Sequence, residues 1–291
     1  MLLTDRNKHQ QFRVSALAEK FKAQLVYLAP ILASLLFGLG CAYLLLAQSV
    51  TLVPVTPFPE DTASGPFSNA FYFVILIALS ATVFYLLLKR KSRKIITILI
   101  GFALTTASLL LSVVYLSAIF SSVPSLEILV LPFSIIVTVV FDLAIFRLGG
   151  KARNIAVICL GGGLGVFFGA SIPFLSALLI LAFLAVYDVF AVYYGPVGKI
   201  AAHSGLDELQ GLSYSFKDVQ MGLGDLVFYS MLSGIMFFNF KPNFLPCFVS
   251  IIGILVGSFL TFVILEKKGI FPGLPFPVLL GLIGGLLALF V

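Results

Sequence analysis

Two aspartates lie in segments that are otherwise apolar, and a pair of carboxyl groups can perform acid–base chemistry. Asp188 lies in the segment LAVYDVF and Asp225 in MGLGDLVFYS. A carboxylate inside a membrane-spanning helix costs roughly 2.5–3.5 kcal/mol on insertion scales, so a chain that keeps one uses it or pairs it. Two adjacent carboxyls do not both ionise, so one serves as the acid and the other as the base that activates water. We therefore take both aspartates as candidate catalytic residues.

The composition indicates that the elements holding these aspartates are membrane-spanning helices. Of the 291 residues, 60% are hydrophobic and 10% are charged, whereas a typical soluble chain is about 25% charged. Apolar runs of about 17–25 residues mark the spans of an all-α, multi-pass membrane protein. We expect one domain, residues 1–291, in which residues 1–170 form a scaffold of five helices and residues 171–291 carry the catalytic motifs. The nine predicted spans are residues 25–46, 69–88, 95–119, 128–146, 154–170, 172–194, 219–239, 244–265 and 272–291.

The basic residues predict the orientation of these spans. All 18 lysines and arginines except Lys241 fall in the N-terminal tail or in alternate loops, while the long loop at residues 49–68 contains none. By the positive-inside rule the N-terminus is cytoplasmic, and nine spans place Val291 outside the cell. The isoelectric point near 9.2 thus reflects topology and contact with membrane lipid, not a nucleic-acid partner. The basic cluster at residues 89–94 is an orientation signal that also suits anionic lipid.

The predicted topology brings the two aspartates to the same depth. The sixth span ends near Tyr194, and Asp188 lies six residues before that cytoplasmic end. The seventh span begins near Val219, and Asp225 lies six residues inside it. Each carboxyl is thus about 9 Å from the cytoplasmic surface at a rise of 1.5 Å per residue. Two antiparallel helices joined by the loop at residues 195–218 would therefore present the carboxyls to each other.

Other hydrolytic chemistries lack their residues in the predicted spans. His9 and His203 both lie in cytoplasmic segments, and the sequence has no HExxH motif. A zinc protease needs that motif, and a serine mechanism needs a histidine at membrane depth. We therefore expect neither a metal nor a cofactor. The three cysteines, each within a span and too widely separated for a CxxC pair, are expected to be packing residues: Cys41, Cys159 and Cys247.

Three motifs in the second half of the chain resemble those of the presenilin and signal peptide peptidase family of GxGD intramembrane aspartyl proteases. The YD motif is matched by Tyr187 and Asp188, and the GxGD motif by Gly222, Leu223, Gly224 and Asp225. The PAL motif is matched by Pro272, Gly273 and Leu274, with Gly273 in the position of the alanine. The segments around both aspartates are more similar to those of presenilin than to those of signal peptide peptidase. The predicted cytoplasmic N-terminus agrees with presenilin, since signal peptide peptidases have the inverted orientation. The short loop at residues 195–218 resembles that of compact archaeal presenilin homologues.

This resemblance implies an activity and a set of partners. It implies an aspartic endopeptidase of the cell membrane that hydrolyses peptide bonds within the transmembrane segments of membrane proteins. Asp188 and Asp225 would be the catalytic pair, and obligate accessory subunits are not expected. Because prolines lack an N–H group, the start of the last span cannot be a regular helix and leaves carbonyls unpaired. We expect this segment to bind an unwound substrate strand through Pro272, Gly273, Leu274 and Pro275.

Two other functional classes are compatible with parts of the pattern. Aspartates inside the membrane also serve proton- or cation-coupled transporters and channels, whose helices are often broken by glycine or proline. No inverted repeat is visible in the sequence, which counts against a transporter. Prepilin peptidases share GxGD, but the YD and PAL positions favour the presenilin arrangement.

Two further features have structural interpretations. Gly161, Gly165 and Gly169 recur every four residues in the fifth span, a pattern suited to close helix packing. Asp142 lies five residues before Arg147 near the cytoplasmic end of the fourth span, where it is expected to snorkel or pair rather than join the catalytic aspartates.

The topology can be tested by thiol labelling on intact cells. A cysteine introduced at residues 51–68 should react with a membrane-impermeant thiol reagent, because this loop is predicted to lie outside the cell. A cysteine introduced at residues 204–215 should not react until the cells are permeabilised. The reverse pattern would indicate the inverted arrangement of signal peptide peptidases.

Overall fold

The computed structural model describes residues 22–62, 64–90, 92–194, 213–216 and 219–290. Several sequence predictions fall outside these described residues. They are the basic tail before Lys22, both histidines, most of the loop at residues 195–218 and the C-terminal Val291.

The described part of the chain contains nine α-helices, and their positions follow the predicted spans. Seven helical segments of 20 or more residues are apolar enough to cross a membrane, and two apolar helices are shorter, which confirms a multi-pass membrane protein. Short 3-10 turns at Leu25–Leu28 and Pro124–Leu129 precede α1 and α4, and a π-helical turn at Leu143–Leu148 follows α4. The helices are α1 (Ala29–Ala47), α2 (Gly65–Lys89), α3 (Arg93–Phe120), α4 (Val130–Asp142), α5 (Gly150–Ser171), α6 (Phe174–Tyr193), α7 (Leu223–Asn239), α8 (Leu245–Lys268) and α9 (Pro275–Leu287).

The prediction of a helix from residue 219 is wrong for its first four residues. β1 (Ser213–Phe216) pairs antiparallel with β2 (Val219–Gly222), with Ser213 opposite Gly222, and α7 begins directly afterwards. Gly222 has extended backbone angles, φ −71° and ψ 145°, so the chain changes from strand to helix at this residue. The fold is therefore helical with one added hairpin. Asp225 is the third residue of α7 rather than a residue six positions inside a helix.

The helix α7 lies at the centre of the bundle. Twelve of its 17 residues are buried, and they cover every face of the helix. Leu226, Leu232, Ile235 and Met236 are each fully buried. A helix that is apolar all round belongs in a core, and α1, α5, α6, α8 and α9 all pack against α7. The helix that carries Asp225 is thereby enclosed by protein rather than by lipid.

The glycine repeat of α5 forms the contact with α7, which confirms its predicted packing role. A Cβ atom built at Gly161 would lie 2.6 Å from Cβ of Leu226, and one at Gly169 would lie 2.9 Å from the Met231 carbonyl oxygen. A Cβ atom at Gly165 would overlap the Val227 carbonyl oxygen. The two backbones therefore approach so closely that no side chain fits between them.

A second glycine contact fixes α9 against α8. A Cβ atom at Gly253 would lie 2.5 Å from the Leu280 carbonyl oxygen, and one at Gly257 would lie 2.5 Å from that of Phe276. The helix α9 begins only at Pro275, so residues 272–274 are irregular, as the prolines predicted. The close α8–α9 contact holds this irregular segment in place.

The α5–α7 contact predicts a position-specific effect of alanine. Gly165→Ala places a methyl group onto the Val227 carbonyl and 2.6 Å from Cβ of Ser230, so it should lower the free energy of unfolding by about 1–3 kcal/mol. Gly101→Ala in α3 is the matched control, because its Cβ atom would have no neighbour closer than 4.0 Å. Thermal unfolding in detergent measures both variants. Equal melting temperatures would contradict the packing argument.

Candidate active site

Asp188 projects from α6 toward the irregular segment before α9. It lies five residues before α6 ends at Tyr193, and its side chain is half-buried. Its Oδ2 atom accepts a hydrogen bond from the Leu274 backbone N–H, with an N–O distance of 3.0 Å. A backbone donor held by the fold fixes the orientation of this carboxyl group.

Asp225 occupies the first turn of α7, directly after the β1–β2 hairpin. Gly222 is the N-cap residue, so Asp225 is the third helical residue, the position at which an acid faces the free N–H groups of the helix start. The partial positive charge of this helix end also favours a carboxylate there. The Asp225 carboxyl turns back toward Gly222, since a Cβ atom built at Gly222 would lie 3.8 Å from its Oδ2 atom.

The two carboxyl groups converge on consecutive residues of the irregular segment. A Cβ atom built at Gly273 would lie 2.8 Å from Oδ2 of Asp225, while the next residue, Leu274, donates to Asp188. Standard backbone dimensions then place the two carboxyl oxygens no more than about 10 Å apart. The structure therefore brings together Asp188 from α6, Asp225 from α7, and residues 273 and 274 from the irregular segment.

The absence of a side chain at Gly273 lets the Asp225 carboxyl lie close to the backbone. A Cβ atom there would lie 2.8–3.0 Å from all three carboxyl atoms of Asp225, closer than side-chain carbons come to such atoms. An alanine, as in the motif that this segment resembles, would force the Asp225 carboxyl to rotate away. The departure from that motif therefore lets Asp225 lie directly against the backbone of residue 273.

Tyr229 contributes to the site, and the sequence analysis did not identify it. Its side chain is fully buried, and its hydroxyl donates to the Gly273 carbonyl oxygen at 2.8 Å. A buried tyrosine hydroxyl requires such a partner. Tyr229 lies four residues after Asp225 and therefore on the same face of α7. This spacing is the one sequence feature that could have indicated a role for Tyr229 in the site. Asp225 and Tyr229 thus reach the same residue from successive turns of one helix.

The other predicted site residues lie around this convergence. Tyr187 is half-buried on α6 beside Asp188, Leu223 is buried, and Gly224 is exposed at the start of α7. Pro272 is buried, and Pro275 is the first residue of α9.

The irregular segment has fewer free carbonyls than its prolines suggested. The Gly273 carbonyl accepts from Tyr229, and the Leu274 carbonyl accepts from the Val278 N–H at 3.0 Å. Each of these oxygens therefore retains a single lone pair for a further partner.

Asp142 makes a separate contact. Its Oδ2 atom accepts from the Thr105 hydroxyl of α3 at 2.8 Å, so it is bonded within the N-terminal half of the bundle and away from the aspartate pair. Across the ranges that the structure describes, no three His, Cys, Asp or Glu side chains are grouped closely enough to hold a metal ion.

Comparison with known proteins identifies the fold. No family profile matches the chain, and no curated protein matches its sequence. Two crystal structures of a presenilin family intramembrane aspartate protease, in different space groups, match with a TM-score of 0.63 and 23% sequence identity. The matches cover 90% and 92% of this chain and 98% and 99% of those chains. The chain therefore has the fold of the presenilin-family intramembrane aspartate proteases.

Proposed function

We propose that this protein is an intramembrane aspartyl protease that hydrolyses peptide bonds within the transmembrane segments of membrane proteins. The observation that carries the proposal is the convergence of Asp188 and Asp225 on residues 273 and 274. The fold shared with presenilin-family proteases supports the same conclusion. Neither the site geometry nor the matching structures favour a transporter or channel.

Hydrolysis requires protons to be taken from and given to the reacting atoms, and two carboxyl groups can perform all of these transfers. The ionised carboxyl takes a proton from water as the water oxygen attacks the carbonyl carbon of the scissile bond. The protonated carboxyl gives its proton to the carbonyl oxygen, which produces a tetrahedral diol. The diol then collapses: the newly protonated carboxyl gives its proton to the leaving nitrogen, the C–N bond breaks, and the other carboxyl takes a proton from a diol hydroxyl, which regenerates the pair. Because the two groups share the protons, apparent pKa values belong to the pair and not to either residue.

The lengths of α7 and α9 support water access to this pair. They have 17 and 13 residues, or about 25 and 20 Å at 1.5 Å per residue, against a hydrocarbon core of about 30 Å. The remainder of each crossing is made by the segment before the helix, which is strand-like before α7 and irregular before α9. Non-helical backbone at membrane depth is tolerated only where it is buried in protein or lines water. We propose that the nine helices cross nine times with the N-terminus in the cytoplasm, so that both aspartates face the cytoplasmic side.

Substrate binding is the second proposed role of the segment around Pro272, Gly273, Leu274 and Pro275. A helical substrate must be unwound before its carbonyl is accessible, and the exposed backbone groups then need partners. An extended peptide finds such partners at a strand edge. Strand β2 ends three residues before Asp225, and residues 272–274 lie beside the same carboxyl. We propose that these two backbone segments bind the unwound substrate, and that the protein acts in the cell membrane without accessory subunits.

Single substitutions of the aspartates test the proposed chemistry. Asp188→Asn and Asp225→Asn should each reduce cleavage of a single-pass transmembrane peptide below a few per cent, because acid and base act as one unit. Mass spectrometry of the products measures this loss. The parent should show a bell-shaped dependence of kcat/KM on pH.

Asp142→Asn is the matched control, since this acid bonds to Thr105 and should be dispensable for cleavage. Melting temperatures of all three variants show whether they fold. Substantial cleavage by either catalytic variant, or a monotonic pH profile of the parent, would contradict the two-aspartate mechanism.

A substitution can delete the Leu274 N–H group while keeping the backbone conformation of that residue. Leu274 has φ −79°, which proline also adopts, so Leu274→Pro deletes the donor to Asp188 while Leu274→Ala keeps it. A hydrogen bond to a charged group contributes about 1.5–3 kcal/mol, so kcat of the proline variant should be about 10- to 100-fold below that of the alanine variant.

Measuring each variant with two substrates distinguishes an effect on the position of the carboxyls from an effect on substrate binding. Leu274→Pro should reduce kcat/KM equally for a helical transmembrane substrate and for a short, already extended peptide. Pro272→Leu should reduce it more for the helical substrate, because this change affects the binding of an unwound strand. If Pro272→Leu affects both substrates equally, the segment only positions the aspartates and the proposed substrate role is wrong.

A further inference from the structure

A cavity of about 380 Å³ lies in the N-terminal half of the bundle, between α1, α3, α4 and α5. Its volume is in the range of small-molecule sites. None of the catalytic motifs contributes to it. Its wall includes Gly40, Cys41, Leu116, Phe141, Cys159 and Leu160.

The wall is largely apolar, and two of its polar side chains bond to the protein backbone. The Tyr115 hydroxyl donates to the Gly163 carbonyl at 2.7 Å, and the Ser108 hydroxyl donates to the Thr105 carbonyl at 3.1 Å. A buried water needs two to four polar partners. The chemistry of this wall therefore suits hydrocarbon rather than water.

The cavity opens at the surface of apolar helices. Phe37 and Ile119 on its wall are 43% and 48% exposed, and a Cβ atom built at Gly40 would have no neighbour within 4 Å. All of these residues belong to segments long and apolar enough to cross a membrane. The opening therefore faces the hydrocarbon of the bilayer.

We propose that this cavity binds one hydrocarbon chain of a membrane phospholipid. At about 30 Å³ for each water-sized group, its volume holds about a dozen methylene groups, or most of one lipid chain. A transmembrane helix of another protein, about 10–12 Å across with side chains, occupies roughly 400–600 Å³ in a single turn, which is more than this cavity holds. The inference does not depend on the proposed protease activity.

Polar groups lie where the lipid's glycerol and headgroup would be. Gln48 follows α1 one turn after the cavity residue Leu44, and Ser121 and Ser122 follow the cavity residue Ile119. Both serine hydroxyls donate to Gln48 Oε1, at 3.2 and 2.8 Å. An apolar cavity with a polar cluster at one end matches the two chemical parts of a phospholipid.

The test uses the full chain in vesicles of dioleoylphosphatidylcholine that contain a phosphatidylcholine with a photoreactive diazirine in its acyl chain. After illumination, mass spectrometry should find cross-links concentrated on cavity residues such as Leu116 and Phe141. Gly40→Phe, which fills the cavity from an open position, should reduce these cross-links to the level of other lipid-facing residues. Ile252→Phe on the lipid-facing side of α8 is the matched control and should leave them unchanged.

A second measurement guards against misfolding of the filled variant. In detergent, added dioleoylphosphatidylcholine should raise the melting temperature of the parent and of Ile252→Phe, because a ligand that binds only the folded state stabilises it. Gly40→Phe should melt cooperatively and respond less to lipid. The inference is overturned if cross-links are spread evenly over the lipid-facing residues, if Gly40→Phe leaves their pattern and the lipid response unchanged, or if a co-purifying protein occupies the cavity instead.

Discussion

The geometry of the site depends on holding two acidic groups at a fixed separation inside an apolar bundle. A three-residue stretch of irregular backbone does this, because Leu274 donates to Asp188 while Gly273 lies against Asp225. Ordinary helical backbone could not make these contacts, since its N–H groups are already bonded within the helix. The prolines around the stretch keep it out of the helix, and the Tyr229 hydroxyl holds it by a hydrogen bond to the Gly273 carbonyl.

The surrounding fold can be understood as support for this stretch and for α7. Glycines of α5 allow that helix to lie against the backbone of α7, and glycines of α8 do the same for α9. Contacts of this kind suit a membrane, where helices gain little from the hydrophobic effect and associate through close packing. The helices α5 and α8 therefore help to determine where Asp225 and the segment before α9 lie.

The sequence predicted the features that depend on composition and local pattern. The apolar runs, the two aspartates, the irregular start of α9 and the packing role of Gly161, Gly165 and Gly169 all depend on residues close together in the chain. Hairpin pairing of Val219–Gly222 was missed because a four-residue segment beside a span is too short for a periodicity that separates strand from helix. The role of Tyr229, and the close approach of the Asp225 carboxyl to Gly273, could not be predicted, since each depends on a contact across 44 or more residues.

The two aspartates lie on helices with very different surroundings. Twelve of the 17 residues of α7 are buried, but only seven of the 20 in α6, where Val186 and Phe190 on either side of Asp188 are 71% and 59% exposed. A bilayer that is thicker or thinner than the protein's apolar surface tilts the helices that touch lipid, and a helix enclosed by protein is shielded from that force. A change in bilayer thickness would therefore reach the carboxyl pair through α6, and the Leu274–Asp188 hydrogen bond is one of the contacts that would oppose a tilt of that helix.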